Sequence, residues 1–151
     1  MWKKTLSLQQ LDQFCQQSAV SHLGIRFSAQ GENWLEAQLT VDERSCQPMG
    51  YLHGGVSALL AETVASLAGF CCVDDNFLVV GTEINASHLR PVKKGNTVTA
   101  RATPARLGRS TQVWQIDLRD EQQQLCCSAR LNLAVVNKQT LIQKGKDHNE
   151  K

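Results

Sequence analysis

One acidic side chain, Glu62, lies within a long apolar stretch that follows a turn at Gln47–Pro48 and runs to Cys72. The stretch contains no proline after His53, and its periodicity predicts a helix. A carboxylate on a helix that is apolar nearly all round is costly unless it has a partner or a chemical use. It could serve as a base or nucleophile, or it could lie at a helix–sheet margin and pair with an arginine. Small residues share its face (Gly55, Ala58, Ala65, Ser66, Gly69), and bulky ones lie opposite (Val56, Leu60, Val64, Leu67, Cys71).

Gly54 falls in the first turn of this predicted helix, where backbone N–H groups lack partners and the dipole is positive. Its N–H is therefore a candidate donor to a developing oxyanion, although turn flexibility alone would also explain a glycine here. Glu62 follows eight residues later, about 12 Å along the helix axis. One small carbonyl group cannot touch both. Either one assignment is wrong, or the site combines Gly54 of one chain with Glu62 of another.

Composition limits the classes of protein to which this chain can belong. The 151 residues, 42% hydrophobic and 20% charged, predict one soluble globular domain. A net charge of +2 gives no electrostatic footprint for nucleic acid, and no apolar run predicts a membrane partner or signal peptide. Six cysteines without C-x-x-C spacing predict buried, reduced thiols in a cytoplasmic protein, with no metal and no cofactor.

The order of predicted elements is a short helix, two strands, the long helix and four more strands. This order predicts an α+β fold in which an antiparallel sheet of about six strands wraps the long helix. The sheet should have exposed edges, which pairing with a second copy would cover. The short helix spans 7–17, the strands 22–29, 33–41, 77–89, 97–107, 113–120 and 125–136, and 137–151 is predicted to be a polar C-terminal tail after a single domain of residues 1–136.

An ordered set of motifs resembles the hotdog-fold acyl-CoA thioesterases over roughly residues 2–136. The motifs are Trp2-Lys3, Gln47-Pro48, L-H-G-G-V-S-A-L-L-A-E-T, V-V-G-T-E-I-N-A-S-H-L-R-P, L-G-R before Q-V-W-Q-I, and L-C-C-S-A-R-L. The chain is most similar to the bacterial PaaI-like group that contains thioesterases of menaquinone and enterobactin synthesis. The resemblance implies a hotdog fold and active sites at a dimer interface.

The same resemblance implies roles for residues near the long helix. Glu62 becomes base or nucleophile, with covalent attack and activation of water both open, and Gly54 becomes the oxyanion donor. Gln47 and His53 are placed at the water and the thioester end, although capping and loop hydrogen bonds are an equal alternative. Ser66, one turn beyond Glu62, could bond the carboxylate or a ring substituent, or could simply pack.

The coenzyme should lie outside the acyl pocket, where charge and backbone donors can bind phosphate. The alternative is that the arginines in these segments are ordinary solvated charges. His88 is included because of the resemblance, since an isolated histidine at a strand end carries little signal. The residues implied in binding are Gly81, His88, Leu89, Arg90, Pro91, Ala105, Arg106, Leu107, Gly108, Arg109 and Ser110.

The expected activity is hydrolysis of acyl-CoA thioesters to free acid and CoA. The resemblance favours aromatic acyl groups such as benzoyl or 1,4-dihydroxy-2-naphthoyl, and medium-chain fatty acyl groups stay open. A homodimer should be required for the site, with a homotetramer built as a dimer of dimers. The alternatives are a non-catalytic acyl-CoA-binding protein, a hydrolase of aryl-carrier-protein thioesters, and a dehydratase that uses His53.

Overall fold

A computed structural model describes residues 1–140 of the chain. The predicted α+β order is confirmed, with one additional short helix. Two short helices precede two strands, and a long helix separates these from four further strands. The helices are α1 Leu8–Phe14, α2 Ala19–His22 and α3 Gly54–Cys71, and the strands are β1 Arg26–Gln30, β2 Leu35–Thr40, β3 Phe77–His88, β4 Thr97–Leu107, β5 Thr111–Arg119 and β6 Leu125–Asn137.

The six strands form one antiparallel sheet in the order β1-β2-β4-β5-β6-β3. The two edge strands differ greatly in length, since β1 has 5 residues and β3 has 12. Side chains along β3 are mostly exposed. A long, exposed edge presents unpaired backbone groups, and proteins usually cover such an edge with another element or another chain.

Helix α3 lies against β2 to β6 and forms the centre of the core. Alternation along the strands explains this, because every second residue of β2, β4, β5 and β6 points at the helix. The fully buried members include Leu35, Leu39, Trp114, Ile116 and Leu131. Burying each such side chain contributes about 1.5–3 kcal/mol. The helix is thereby held at a fixed position beneath the sheet.

The prediction of a strand over 22–29 is wrong at its start, because residues 19–22 form α2 and β1 begins at Arg26. The Ser18 hydroxyl accepts a hydrogen bond from the Val20 N–H at 3.2 Å and caps a helical turn there. Gly24, with φ of +76°, then reverses the chain into β1. Helix α1 is also shorter than predicted, and β6 extends one residue beyond 136. Residues 141–151 of the predicted tail lie outside the described residues.

A helix that is apolar nearly all round is expected to be buried, and for α3 this expectation needs correction. Buried residues form a stripe that includes Ser57, Leu60, Val64 and Ala68, whereas Glu62 is exposed in the single chain. The helix is long and apolar enough to cross a membrane, with mean hydropathy 1.4, but half of this window is buried within the fold. The sheet leaves the face around Glu62 uncovered in the single chain.

Candidate active site

The loop before α3 is held by its own hydrogen bonds, and these fix Gln47 and His53. The N–H of Gln47 donates to Tyr51 O at 2.8 Å, and the N–H of His53 donates to Ser45 O at 2.8 Å. Gly50, with φ of +81°, makes the turn between them. The amide oxygen of Gln47 accepts the Met49 N–H, so its NH₂ group is left to face outward. The loop hydrogen bond considered for Gln47 is therefore present in the single chain.

His53 is the N-cap of α3, which is the capping alternative considered for it. Its Nδ1 accepts the Gly55 N–H at 2.9 Å, and its carbonyl accepts the Val56 N–H at 2.9 Å. Within the described residues, the Gly54 N–H makes no hydrogen bond. The first turn of α3 therefore offers one unoccupied backbone donor, at the residue that the sequence selects.

A cavity of about 510 Å³ opens at this donor, and we call it the helix-start cavity. The His88 ring, which also lines the cavity, lies so close to Gly54 that a Cβ on Gly54 would be 2.9 Å from Nε2. The glycine is therefore needed for a close approach. The structure brings six of the predicted site residues together here, namely Gln47, Gly54, His88, Leu89, Arg90 and Pro91. The rest of the lining is Met49, Tyr51, Leu52, Ser57, Val92, Val98, Leu118 and Cys126.

Glu62 lies on a different cavity, of about 530 Å³, which we call the Glu62 cavity. Its lining includes Ser66 and Ala58 from the small-residue face, together with Ala19 and Val20 from α2. The carboxylate reaches β3, where a Cβ on Gly81 would lie 2.8 Å from Oε1. Among the described residues Glu62 belongs to no salt bridge and accepts no hydrogen bond, so the arginine partner considered for it is not found.

Gly54 and Glu62 thus open onto separate cavities of one chain, as their spacing along the helix requires. His53 lines neither the helix-start cavity nor the Glu62 cavity, although its neighbour Gly55 lines the Glu62 cavity. A single chain presents a free N–H donor on one side of α3 and an unpaired carboxylate on another. It does not bring them onto one reacting carbonyl.

The two predicted coenzyme-binding segments are also apart in one chain. His88 to Pro91 line the helix-start cavity, where the N–H groups of Leu89 and Arg90 both donate to Cys126 O at 2.8 and 3.1 Å. From the 105–110 segment, Leu107, Gly108 and Arg109 line a third cavity of about 510 Å³ with Met1 and Lys3. Ala105, Arg106 and Ser110 are exposed beside it.

Cys126 brings a thiol to the helix-start cavity, so it must be weighed as a nucleophile. Burial raises the pKa of the Cys126 thiol, and its Sγ donates to Gln124 O at 3.3 Å. A thiol with a raised pKa stays protonated near neutral pH and is a poor nucleophile. Glu62 therefore remains the better candidate. Residues 1–140 contain no group of three or more His, Cys, Asp or Glu side chains that could hold a metal ion.

Sequence reasoning missed Ser57, which is 5% exposed and lines the helix-start cavity. Its position three residues after Gly54 was the available signal, because residues i and i+3 share a helix face. It also missed the apolar inner wall, formed by Val98 and Leu118 of two separate strands. Only the folded sheet brings those residues to the helix.

One long helix wrapped by a sheet of six antiparallel strands is the arrangement of a hotdog fold. The chain matches the Thioesterase superfamily over residues 49–127 and belongs to that family. The predicted hotdog fold is confirmed by a thioesterase from Haemophilus influenzae, whose crystal structure is 60% identical and covers 90% of this chain and 94% of its own, with a TM-score of 0.88.

Two further relatives are similar to this chain over most of its length. A thioesterase from Pseudomonas aeruginosa, solved as a variant with a glutamine replaced by alanine, is 43% identical and has a TM-score of 0.88, covering 90% of this chain and 98% of its own. A relative from Pasteurella multocida is 61% identical over 137 residues, which are 91% of this chain and 98% of its own. The predicted thioesterase class is thereby confirmed.

Proposed function

We propose that this chain hydrolyses acyl-CoA thioesters at a site shared between two protomers. The observation that carries the proposal is the placement of Gly54 and Glu62 on separate cavities of one chain. The thioester oxygen would accept a hydrogen bond from Gly54 N–H of one protomer. Glu62 of the second protomer would take a proton from the attacking water, or would itself attack the carbonyl carbon.

The net reaction adds water across the bond between carbonyl carbon and sulfur. The π electron pair of the carbonyl moves to oxygen as the nucleophile bonds to carbon, and it returns as the CoA sulfur leaves. The thiolate then takes up a proton, so that the products are a free acid and CoA thiol. Donors that stabilise the oxyanion lower the barrier because they act where negative charge develops.

Several features support a CoA ester as the substrate. Arg90 provides charge at the helix-start cavity, and Arg109 provides charge at the third cavity, where Lys3 is already paired with Asp74; phosphate groups could bind to these arginines. The inner wall of the helix-start cavity is apolar. Among acyl groups we propose aromatic ones such as benzoyl or dihydroxynaphthoyl, and a panel of aryl- and alkyl-CoA thioesters assayed for free thiol would rank them.

Replacement of the carboxylate tests the chemistry. Glu62→Gln should lower kcat by about 10²–10⁴-fold, because a positioned base or nucleophile is lost while the side-chain shape is kept. Glu36→Gln is the control, since Glu36 pairs with Arg101 at 2.7 Å away from both cavities. Hydrolysis by Glu62→Gln at the wild-type rate on every acyl-CoA would contradict the role of Glu62 as base or nucleophile, whereas a wild-type chain that binds these esters without hydrolysing any of them would favour a protein that only binds them.

The shared site predicts complementation between two inactive chains. Gly54→Pro and Glu62→Gln chains, co-expressed with different tags, give hybrids that contain one intact site and one site with both changes. Hybrids isolated through both tags should regain about half of the wild-type rate. If each chain contained its own complete site, the hybrid would be as inactive as its parents. The sheet edge at β3 is the proposed contact between the protomers, and a pair of such dimers would give the tetramer.

A further inference from the structure

Ser57 is a polar residue in a cavity wall that is otherwise largely apolar. It is 5% exposed, and the wall beside it includes Val98 and Leu118, both fully buried, and Cys126, which is 4% exposed. The other polar side chains of the lining include Gln47, His88 and Arg90, and all three are less buried than Ser57. Ser57 is thus placed inside the cavity rather than at its mouth.

The Ser57 hydroxyl makes no hydrogen bond to any described residue, although its backbone N–H donates to His53 O at 3.1 Å. Serines in helices often bond to a carbonyl one turn earlier, but this one does not. Ser57 is only 5% exposed, but its hydroxyl oxygen is not fully enclosed, because among the described residues only Ser28 Oγ and Asn132 Oδ1 are both buried and unpaired. The open cavity is the place from which a partner can come.

The direction of the side chain links it to Gly54. Side chains on a helix lean toward its N-terminus, and residues three apart lie on one face. Ser57 therefore leans over the first turn of α3, where the Gly54 N–H is unoccupied. Two free donors, one from the backbone and one from a side chain, face the same cavity.

We propose that the Ser57 hydroxyl is a second donor to the thioester oxygen, acting beside the Gly54 N–H. It keeps its own proton throughout. As the nucleophile bonds to the carbonyl carbon, the π pair moves onto oxygen, and both donors shorten their hydrogen bonds to it. The pair returns when the CoA sulfur leaves. This inference rests on the proposed function, since it assigns a residue to the same reaction.

Removing the hydroxyl tests the assignment. Ser57→Ala should lower kcat by about 10²-fold and change KM little, because a donor that strengthens its bond in the transition state acts on kcat. Ser57→Thr keeps the hydroxyl and should recover most of the lost rate. Ser28→Ala is the control, because it also removes a serine hydroxyl without a partner, in this case one that is buried on β1 outside the cavities.

Two non-hydrolysable ligands separate this role from a structural one. A ketone analogue, with CH₂ between carbonyl and sulfur, keeps the carbonyl oxygen, and the thioether with CH₂ in place of the carbonyl lacks it. Ser57→Ala should weaken binding of the ketone and leave binding of the thioether unchanged. Equal weakening of both, or unchanged kcat, would overturn the proposal. A wild-type chain that hydrolyses no acyl-CoA would refute the proposed function, and the two analogues would still decide whether Ser57 binds a carbonyl.

Discussion

At the scale of single residues, the site depends on which hydrogen-bonding atoms are already used. His53 accepts at Nδ1, so its neutral ring carries the proton on Nε2. Gln47 accepts at its amide oxygen and retains its NH₂ group. Both residues can therefore hold the loop or cap the helix and still donate to a substrate. Their contacts within the loop use acceptor atoms and leave the side-chain N–H donors free. Donors are what a developing oxyanion or a thioester oxygen requires.

The Gly54 N–H can be removed without disturbing the helix. Proline is favoured at the first position of a helix, and the residue before it must be extended, as His53 is with φ −67° and ψ 132°. The kcat of Gly54→Pro should be lower than the kcat of Gly54→Ala by about 10²-fold or more. Both variants crowd His88, and only proline lacks the donor. Equal steady-state rates for the two would contradict an oxyanion role for this N–H.

At the scale of elements, α3 is fixed at both ends by segments distant in sequence. The loop from Asp42 to His53 caps its start. At its end, the N–H groups of Lys3 and Lys4 donate to Cys71 O at 2.8 and 3.0 Å. The Lys4 ammonium donates to Phe70 O at 3.2 Å and to Val73 O, and lies 4.6 Å from the centre of the Phe70 ring. A cation at a helix C-terminus complements the dipole.

Lys4 should therefore contribute more to stability than its neighbour. Lys4→Met should lower the free energy of unfolding by about 1.5–3 kcal/mol, because it removes charged hydrogen bonds from buried carbonyls. Lys3→Met is the matched control and should cost about 0–1 kcal/mol, since the Lys3–Asp74 pair is half exposed. Urea denaturation of the two variants gives the comparison, and equal midpoints would refute the capping role.

At the scale of the whole molecule, one chain is a folded unit that carries both halves of the proposed shared site on different sides. The donor opens on one side of α3 and the carboxylate on another, while a 12-residue edge strand is left open.

The core itself contains several reduced thiols. Burial raises the pKa of Cys15, Cys71 and Cys127 and raises that of Cys72 to about 11. These thiols favour the folded state as long as they remain protonated.

Stability should therefore fall in alkaline solution. The unfolded chain releases the Cys72 proton near the ordinary pKa of 9.0, whereas the folded chain holds it until about 11. Unfolding then releases protons, so the free energy of unfolding decreases as pH rises across this window. Denaturation at pH 7 to 11 should show a smaller decrease for Cys72→Ala than for wild type. If the free energies of unfolding of the two proteins decreased in parallel above pH 9, the raised pKa of Cys72 would not be a cause of the decrease.

Sequence patterns were sufficient for the elements with strong periodicity. Long alternating runs such as 97–107 and 125–136 predicted β4 and β6 closely, because a half-buried strand must alternate. The region 22–29 was less clear. Its alternation is short, and the cap at Ser18 allows a helical turn that a period of two residues does not reveal.

The sequence by itself determined the candidate groups and their spacing: one carboxylate on the long helix, a glycine at its start, and a distance too long for one carbonyl. Those follow from residue type and helix rise, which are local. Only the tertiary structure decided that Gly54 and Glu62 open onto different cavities, that Gly81 faces the carboxylate, and that Ser57 faces the free N–H. These facts depend on which strands cover which side of α3, and that coverage is set by packing between residues far apart in the chain.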